Sequence, residues 1–238
     1  MKFNLLAPVS VVADLAFSFP CPGCGMAPVS PRNALCPSCR AELHLFAPPY
    51  CPGCGATLDN ALDLCSDCLR EERRPWQNAI ALFPHQGLGR ELIHRFKYRD
   101  APEIARTLAI LGAEALRDRG LQVDCIVPVP LHWTRRWWRG FNQTALFCAR
   151  LSAETGIPVR DCLDRIRRTR RQARLNREQR KKNLLAAFSL KDRNFCPEGN
   201  ILLIDDVLTT GATLSAAAHE LLRAGGERTV YIMAPARR

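Results

Sequence analysis

Two groups of residues in this chain are spaced for chemistry: eight cysteines before residue 70 and a pair of aspartates near the C-terminus. The cysteines form four C-x-x-C pairs, Cys21 with Cys24, Cys36 with Cys39, Cys51 with Cys54 and Cys65 with Cys68. Each pair is a tight knuckle that aims two thiolates at one metal, and two knuckles complete a closed tetrahedral site of the kind that holds structural zinc. The pattern occurs twice, as C-P-G-C-G followed eleven or ten residues later by a second pair, so it reads as an internal duplication with two zinc sites. Sequential pairing assigns Cys21, Cys24, Cys36 and Cys39 to one ion and Cys51, Cys54, Cys65 and Cys68 to the other; spacing leaves crossed pairing between the halves open. Gly25 and Gly55 close the first knuckle of each half, where a positive φ is often needed. A disulfide framework is the competing reading, set aside because the rest of the chain reads as a cytoplasmic domain, where thiols stay reduced. Cys125, Cys148, Cys162 and Cys196 stand singly in apolar surroundings and read as small core residues.

The aspartates belong to I-L-L-I-D-D-V-L-T-T-G-A-T, residues 201–213. A buried strand delivers Asp205 and Asp206 at its C-terminal end, the place where ligands bind in open α/β sheets. The loop that follows holds Thr209, Thr210, Gly211, Ala212 and Thr213. Its glycine lets backbone N–H groups approach a ligand, its hydroxyls donate, and the next helix adds the positive end of its dipole. These parts make a cradle for one phosphate, with two carboxylates placed to hold ribose hydroxyls. No G-x-x-x-x-G-K-[ST] run occurs, so this is not a Walker loop.

Elements able to position that loop begin after Pro75, where strand and helix patterns alternate. Strands are expected over 79–83, 125–129, 201–204 and 229–233, and helices over 88–98, 102–119, 144–154 and 214–223. Alternation of this kind predicts an α/β domain with a mainly parallel sheet flanked by helices, over 76–238, preceded by an N-terminal helix and the small Cys-rich zinc-ribbon module over 1–75. The apolar first 17 residues are interrupted by Asp14 and run straight into the cysteines, which favours a helix packed on the body over a cleaved signal. No apolar run reaches the roughly 18 residues of a membrane span.

At 238 residues, 47% hydrophobic and 24% charged, the chain has enough apolar mass for a packed core, which excludes a disordered protein. Its net charge of +11 is localised: residues 132–183 hold 15 Arg or Lys against 4 Asp or Glu, and the remainder is balanced. Arg135, Arg136 and Arg139 are interleaved with Trp133, Trp137 and Trp138, and residues 165–182, including Arg170, Arg171 and Arg174, hold ten basic residues and one acid. Arginine beside exposed aromatics suits a single nucleic-acid strand, and the same cations suit a diphosphate. A solvated basic face, with the tryptophans packed beneath it, is the competing reading.

Taken together these motifs resemble the ComF family of competence proteins, which join a cysteine-rich zinc module to a type I phosphoribosyltransferase-like domain. The resemblance spans nearly the whole chain and includes H-R-F-K-Y-R at 94–99, V-P-V-P-L-H at 127–132, R-G-F-N-Q at 139–143 and the basic run at 167–183. It implies that Asp205 and Asp206 contact the ribose of phosphoribosyl diphosphate (PRPP), directly or through Mg²⁺, and that residues 209–213 hold its 5′-phosphate. It also implies a diphosphate loop starting at Pro130, Leu131 and His132, and a flap over the site at 167–183. The function implied is PRPP binding in DNA uptake or the use of incoming DNA, with single-stranded DNA and other competence proteins as partners. Active phosphoribosyl transfer in nucleotide salvage is the alternative, and a zinc-ribbon adaptor with a vestigial cradle is a third reading. No base-selecting segment and no general acid or base stands out.

Overall fold

The computed structural model describes residues 18–30, 33–59, 62–70, 74–98, 102–130, 142–166, 187–192 and 196–238. Four parallel strands form the main sheet: β3 (Asn78–Pro84), β4 (Cys125–Pro128), β7 (Gly199–Ile204) and β9 (Arg228–Arg237), in the order β3-β9-β7-β4. A two-residue strand, β8 (Val207–Leu208), pairs with the end of β9. The cysteine module contributes a small antiparallel pair, β1 (Phe19–Pro20) with β2 (Pro28–Val29). Another antiparallel pair, β5 (Leu163–Arg165) with β6 (Phe188–Leu190), brackets the basic run, which itself lies outside the described residues.

Both faces of the main sheet are buried, which explains why its strands read as continuous apolar runs. Alternate residues feed two clusters. Leu202 and Ile204 of β7 and Ile126 of β4 join the helices Gly87–Tyr98, Pro102–Arg119 and Gln143–Thr155. Ile201 and Leu203 of β7 and Val127 of β4 join the helix Ala212–Arg223 and the β5–β6 pair on the other face. The two halves of the cysteine module divide in the same way: Cys21, Cys36 and Cys39 belong to the first cluster, and Cys51, Cys54 and Cys68 to the second. The module thus straddles the edge strand β3. The Phe46 amide donates to the Leu82 carbonyl at 2.9 Å, and Gly55 packs on the backbone of Ala79–Ala81.

The expected helix over 102–119 is found with those limits, and those expected at 88–98 and 144–154 each begin one residue earlier. The last helix starts at Ala212, two residues ahead of the expected Leu214, because Gly211 in the left-handed region (φ +74°) turns the chain directly into it. The last strand runs on past Met233 to Arg237; Pro235 reads as a stop, but Ala234 and Ala236 carry the ladder to β3. Residues 1–17, assigned to an N-terminal helix, lie outside the described residues. No helix among the described residues is long and apolar enough to cross a membrane.

Candidate phosphate site and metal centres

Chain direction locates the candidate ligand site. After β4 the chain passes through the helix Gln143–Thr155 to Val159, which bridges to Ile126 on the outer side of β4. After β7 it passes through the helix Ala212–Arg223 to β9, on the opposite side. The chain therefore leaves the C-terminal ends of β4 and β7 in opposite directions and opens a crevice between them, as at the switch points where α/β sheets hold ligands. Asp205 and Asp206 stand at the end of β7, next to that crevice.

The Asp206 carboxylate pairs with the Lys97 ammonium at 2.9 Å, both side chains being less than one-fifth exposed. Asp205 Oδ1 accepts the Asp206 amide at 2.8 Å. Burial and the adjacent Asp206 charge push the Asp205 carboxyl up to about 7, against the favourable charges of Lys97 and Arg165. Arg165 ends β5, so the strand that leads into the basic run brings its charge to bear on the aspartates. Thr209 and Thr210 are exposed, Gly211 is buried, and Thr210 Oγ1 accepts the Ala212 amide at 3.4 Å. Gly211 at the N-cap has no side chain to cap the helix that begins at Ala212, so among the described residues its first-turn amides beyond that of Ala212 are left for another acceptor.

Several residues of this surround carry no signal of chemistry in the sequence. Lys97 lies within the H-R-F-K-Y-R run, yet only the fold sets it against Asp206. Asn142 caps its helix by accepting from the Thr144 and Ala145 amides, and buried Gln143 donates to the Lys97 carbonyl at 3.1 Å. Gln143, the last residue of the R-G-F-N-Q run, thereby holds the end of the helix that carries Lys97. His85, at the end of β3, is pushed below its ordinary range by burial and by the charges of Lys97, Arg90 and Arg238. Arg135, Arg136, Trp137, Trp138, Arg139, Arg170, Arg171 and Arg174, together with the diphosphate loop from Leu131, lie outside the described residues.

The cysteines settle into two sequential sets, Cys21–Cys24–Cys36–Cys39 and Cys51–Cys54–Cys65–Cys68, with the sulfurs of each set within 4.8 Å of one another. Four thiolates bound at about 2.3 Å to one tetrahedral zinc need a spread of this size, so the residues fit the metal. Backbone amides already point at sulfur: Gly23 and Cys36 at Cys21, and Cys65 at Cys51, each at 3.4 Å. The amides of Ala27 and Met26 hold Cys24 down to about 6. A hydrogen bond with Cys68, the Ala56 amide and the Arg237 charge hold Cys54 down to about 5. Gly25 and Gly55 take the positive φ expected of them, +73° and +76°. By contrast, burial raises Cys125 to about 11 and Cys162 to about 12 and pushes Cys148 higher still, which keeps these core thiols protonated.

The double zinc ribbon domain matches residues 12–71. Competence protein F of Haemophilus influenzae is 35% identical over 228 residues, covering 93% of this chain and 98% of that protein. The DNA utilization protein YhgH of Salmonella typhimurium is 37% identical over 190 residues (76% and 81%), and competence protein ComFC of Bacillus subtilis 31% identical over 218 residues (85% and 83%). Among solved structures, glutamine phosphoribosylpyrophosphate amidotransferase from B. subtilis overlaps at a TM-score of 0.40 with 18% identity, covering 59% of this chain and 30% of that one.

Proposed function

Because the chain belongs to the ComF family of competence proteins, we propose that it binds PRPP, or a related phosphorylated ribose, in the uptake and use of incoming DNA. The observation that carries this reading is the Asp205–Asp206 pair and the Gly211-turned loop, both at the crevice where β4 and β7 send the chain in opposite directions. In this reading the 5′-phosphate takes the amides and hydroxyls of residues 209–213, and the two carboxylates hold the ribose hydroxyls. Lys97 keeps Asp206 neutralised in the free protein and is placed to follow the ligand's charge. Mg²⁺, which prefers oxygen ligands and water, would travel with the diphosphate and mask its charge beside Asp205 and Asp206. Arg135, Arg136, Arg139, Arg170, Arg171 and Arg174 would meet the diphosphate or a single DNA strand, with Trp137 and Trp138 stacking on bases. The setting is cytoplasmic, with other competence proteins as partners.

The test is thermal unfolding with Mg²⁺ and PRPP. Ligand that binds only the folded state raises the melting temperature. Asp205→Ala combined with Asp206→Ala is expected to abolish the rise while the protein stays folded; an unchanged rise means the cradle lies elsewhere. A parallel screen for diphosphate release with the common bases separates binding from transfer. For DNA, replacing Arg170, Arg171 and Arg174 by Ala should flatten the salt dependence of single-strand binding by up to roughly two log units per log unit of salt, at about 0.7 per phosphate contact. Binding that ignores both salt and this substitution returns the basic stripe to a solvated surface.

A further inference from the structure

The two cysteine clusters are not equivalent supports. The second is tied to the phosphate loop by two routes. Trp76 Nε1 donates to the Gly53 carbonyl, inside the knuckle, at 3.2 Å, and the Arg74 guanidinium lies 5.2 Å over the Trp76 ring. Both side chains press on the loop: a Cβ added at Gly211 would meet Arg74 Nη1 at 2.8 Å and Trp76 Cη2 at 3.0 Å. The second route is Arg237. Its guanidinium bonds Asp67 at 2.9 Å and lies 4.0 Å from Cys65 Sγ, while its backbone pairs with Leu208 at the start of the loop. The segment 207–211 is thus gripped at both ends by arginines set against the second cluster.

Charge gives these contacts a direction. Zinc with four thiolates carries a net charge of −2, and two guanidiniums face that cluster. Arg74 Nη1 is buried and finds no hydrogen-bond acceptor among the described residues, and beside it begins a helix whose N-cap, Gly211, offers no side chain to its first turn. A buried guanidinium N–H without an acceptor, next to the positive end of a helix dipole, leaves a donor that a phosphate group in the loop can satisfy. The first cluster is tied to the opposite face of the sheet, through Arg95 to the Pro22 carbonyl, Thr107 to the Ala34 carbonyl and Arg40 to Glu114. Its link toward the crevice runs along the helix of Arg95 to Lys97, which faces the carboxylates rather than the phosphate loop.

We infer that Arg74 is a positioning residue of the phosphate loop, and that zinc at the second cluster, holding Arg74 and Arg237, strengthens binding of the phosphate group while zinc at the first does not. This rests on residues 209–213 being the phosphate cradle. The experiment is calorimetric titration of the full-length, zinc-loaded protein with ribose 5-phosphate without Mg²⁺, so that the loop is read apart from the metal. Zinc is counted in parallel by chelator colorimetry after denaturation. Arg74→Ala should keep two zinc ions and weaken binding about tenfold, with part recovered by Arg74→Lys, which restores charge but not shape. Cys65→Ser should lose one zinc and weaken binding by a similar factor; Cys24→Ser should lose one zinc with binding within about threefold of the parent. Wild-type affinity in Arg74→Ala, or equal losses in Cys24→Ser and Cys65→Ser, overturns the coupling and leaves the cradle standing. Parent protein that does not bind ribose 5-phosphate at all overturns both. Should Cys65→Ser fail to fold, the two Arg74 variants, which keep every metal ligand, decide the matter.

Discussion

Asp205 is held in a state that its neighbours contest. Burial and Asp206 favour its protonated form, while Lys97, Arg165 and the Asp206 amide favour its carboxylate. With a value raised from 3.8 to about 7, the folded protein holds this proton more tightly than the unfolded chain does. Its contribution to stability is therefore fully present below about pH 4 and is lost as the pH rises through 7. Asp205→Asn keeps an oxygen to accept the Asp206 amide and has no proton to lose. We expect the variant to match the parent near pH 4.5 and to exceed it at pH 8.5, by on the order of 1–4 kcal/mol in denaturant unfolding. A gap that stays constant between the two pH values means that burial does not hold the carboxyl in its acid form. The aspartates themselves were legible, because a buried strand ending in two acids and a Gly/Thr loop is a local pattern. Lys97 was not: nothing near it in sequence says that the first helix of the domain returns to the end of a central strand.

At the scale of elements, each knuckle is a turn whose geometry is local and whose purpose is not. Gly25 and Gly55 occupy equivalent positions with nearly the same backbone, φ +73° and +76°. A Cβ on Gly25 would meet nothing within 4 Å, whereas one on Gly55 would sit 2.3 Å from the Ala81 nitrogen and 2.8 Å from the Ala79 carbonyl. Gly25→Ala should therefore cost only the left-handed strain, about 1–2 kcal/mol. Gly55→Ala must also push the second knuckle off β3 and should cost more than about 4 kcal/mol, a magnitude reserved for such clashes. Equal losses in the two variants would show that the knuckle can slide on the strand. Spacing alone identified the eight ligands, and the pairing it left open is now sequential. It did not reveal which face of the sheet each half covers, since that depends on contacts such as Arg95 with Pro22 and Trp76 with Gly53. The strands β5 and β6 escaped notice for another reason. At three residues each they show no alternation, and they find one another only across the basic run.

For the whole molecule, the expected boundary at residue 75 divides chemistry more cleanly than it divides the core. Leu35 and Leu43 of the cysteine module share a cluster with Phe83, Leu92 and Ile126, and Leu58 of the module shares the other with Trp76, Val127 and Leu203. The module also covers the open edge of β3, through Phe46 to Leu82 and Gly55 against Ala79–Ala81. An α/β domain freed of it would present an unpaired edge strand that is apolar from Ala79 to Pro84, the arrangement most prone to pair with another chain. We therefore propose that 1–75 and 76–238 are two chemical units of one folding unit. A chain beginning at Trp76 should self-associate in light scattering and bind a dye for exposed apolar surface, whereas the full chain with zinc should do neither. A monomeric fragment with a single sharp unfolding transition would make the module an attachment rather than a wall of the core. Loss of zinc from the full chain should move it toward the fragment's behaviour, because binding the metal and folding the module are one equilibrium. A zinc-free protein that stays monomeric would show that packing on β3, and not the metal, holds the edge closed.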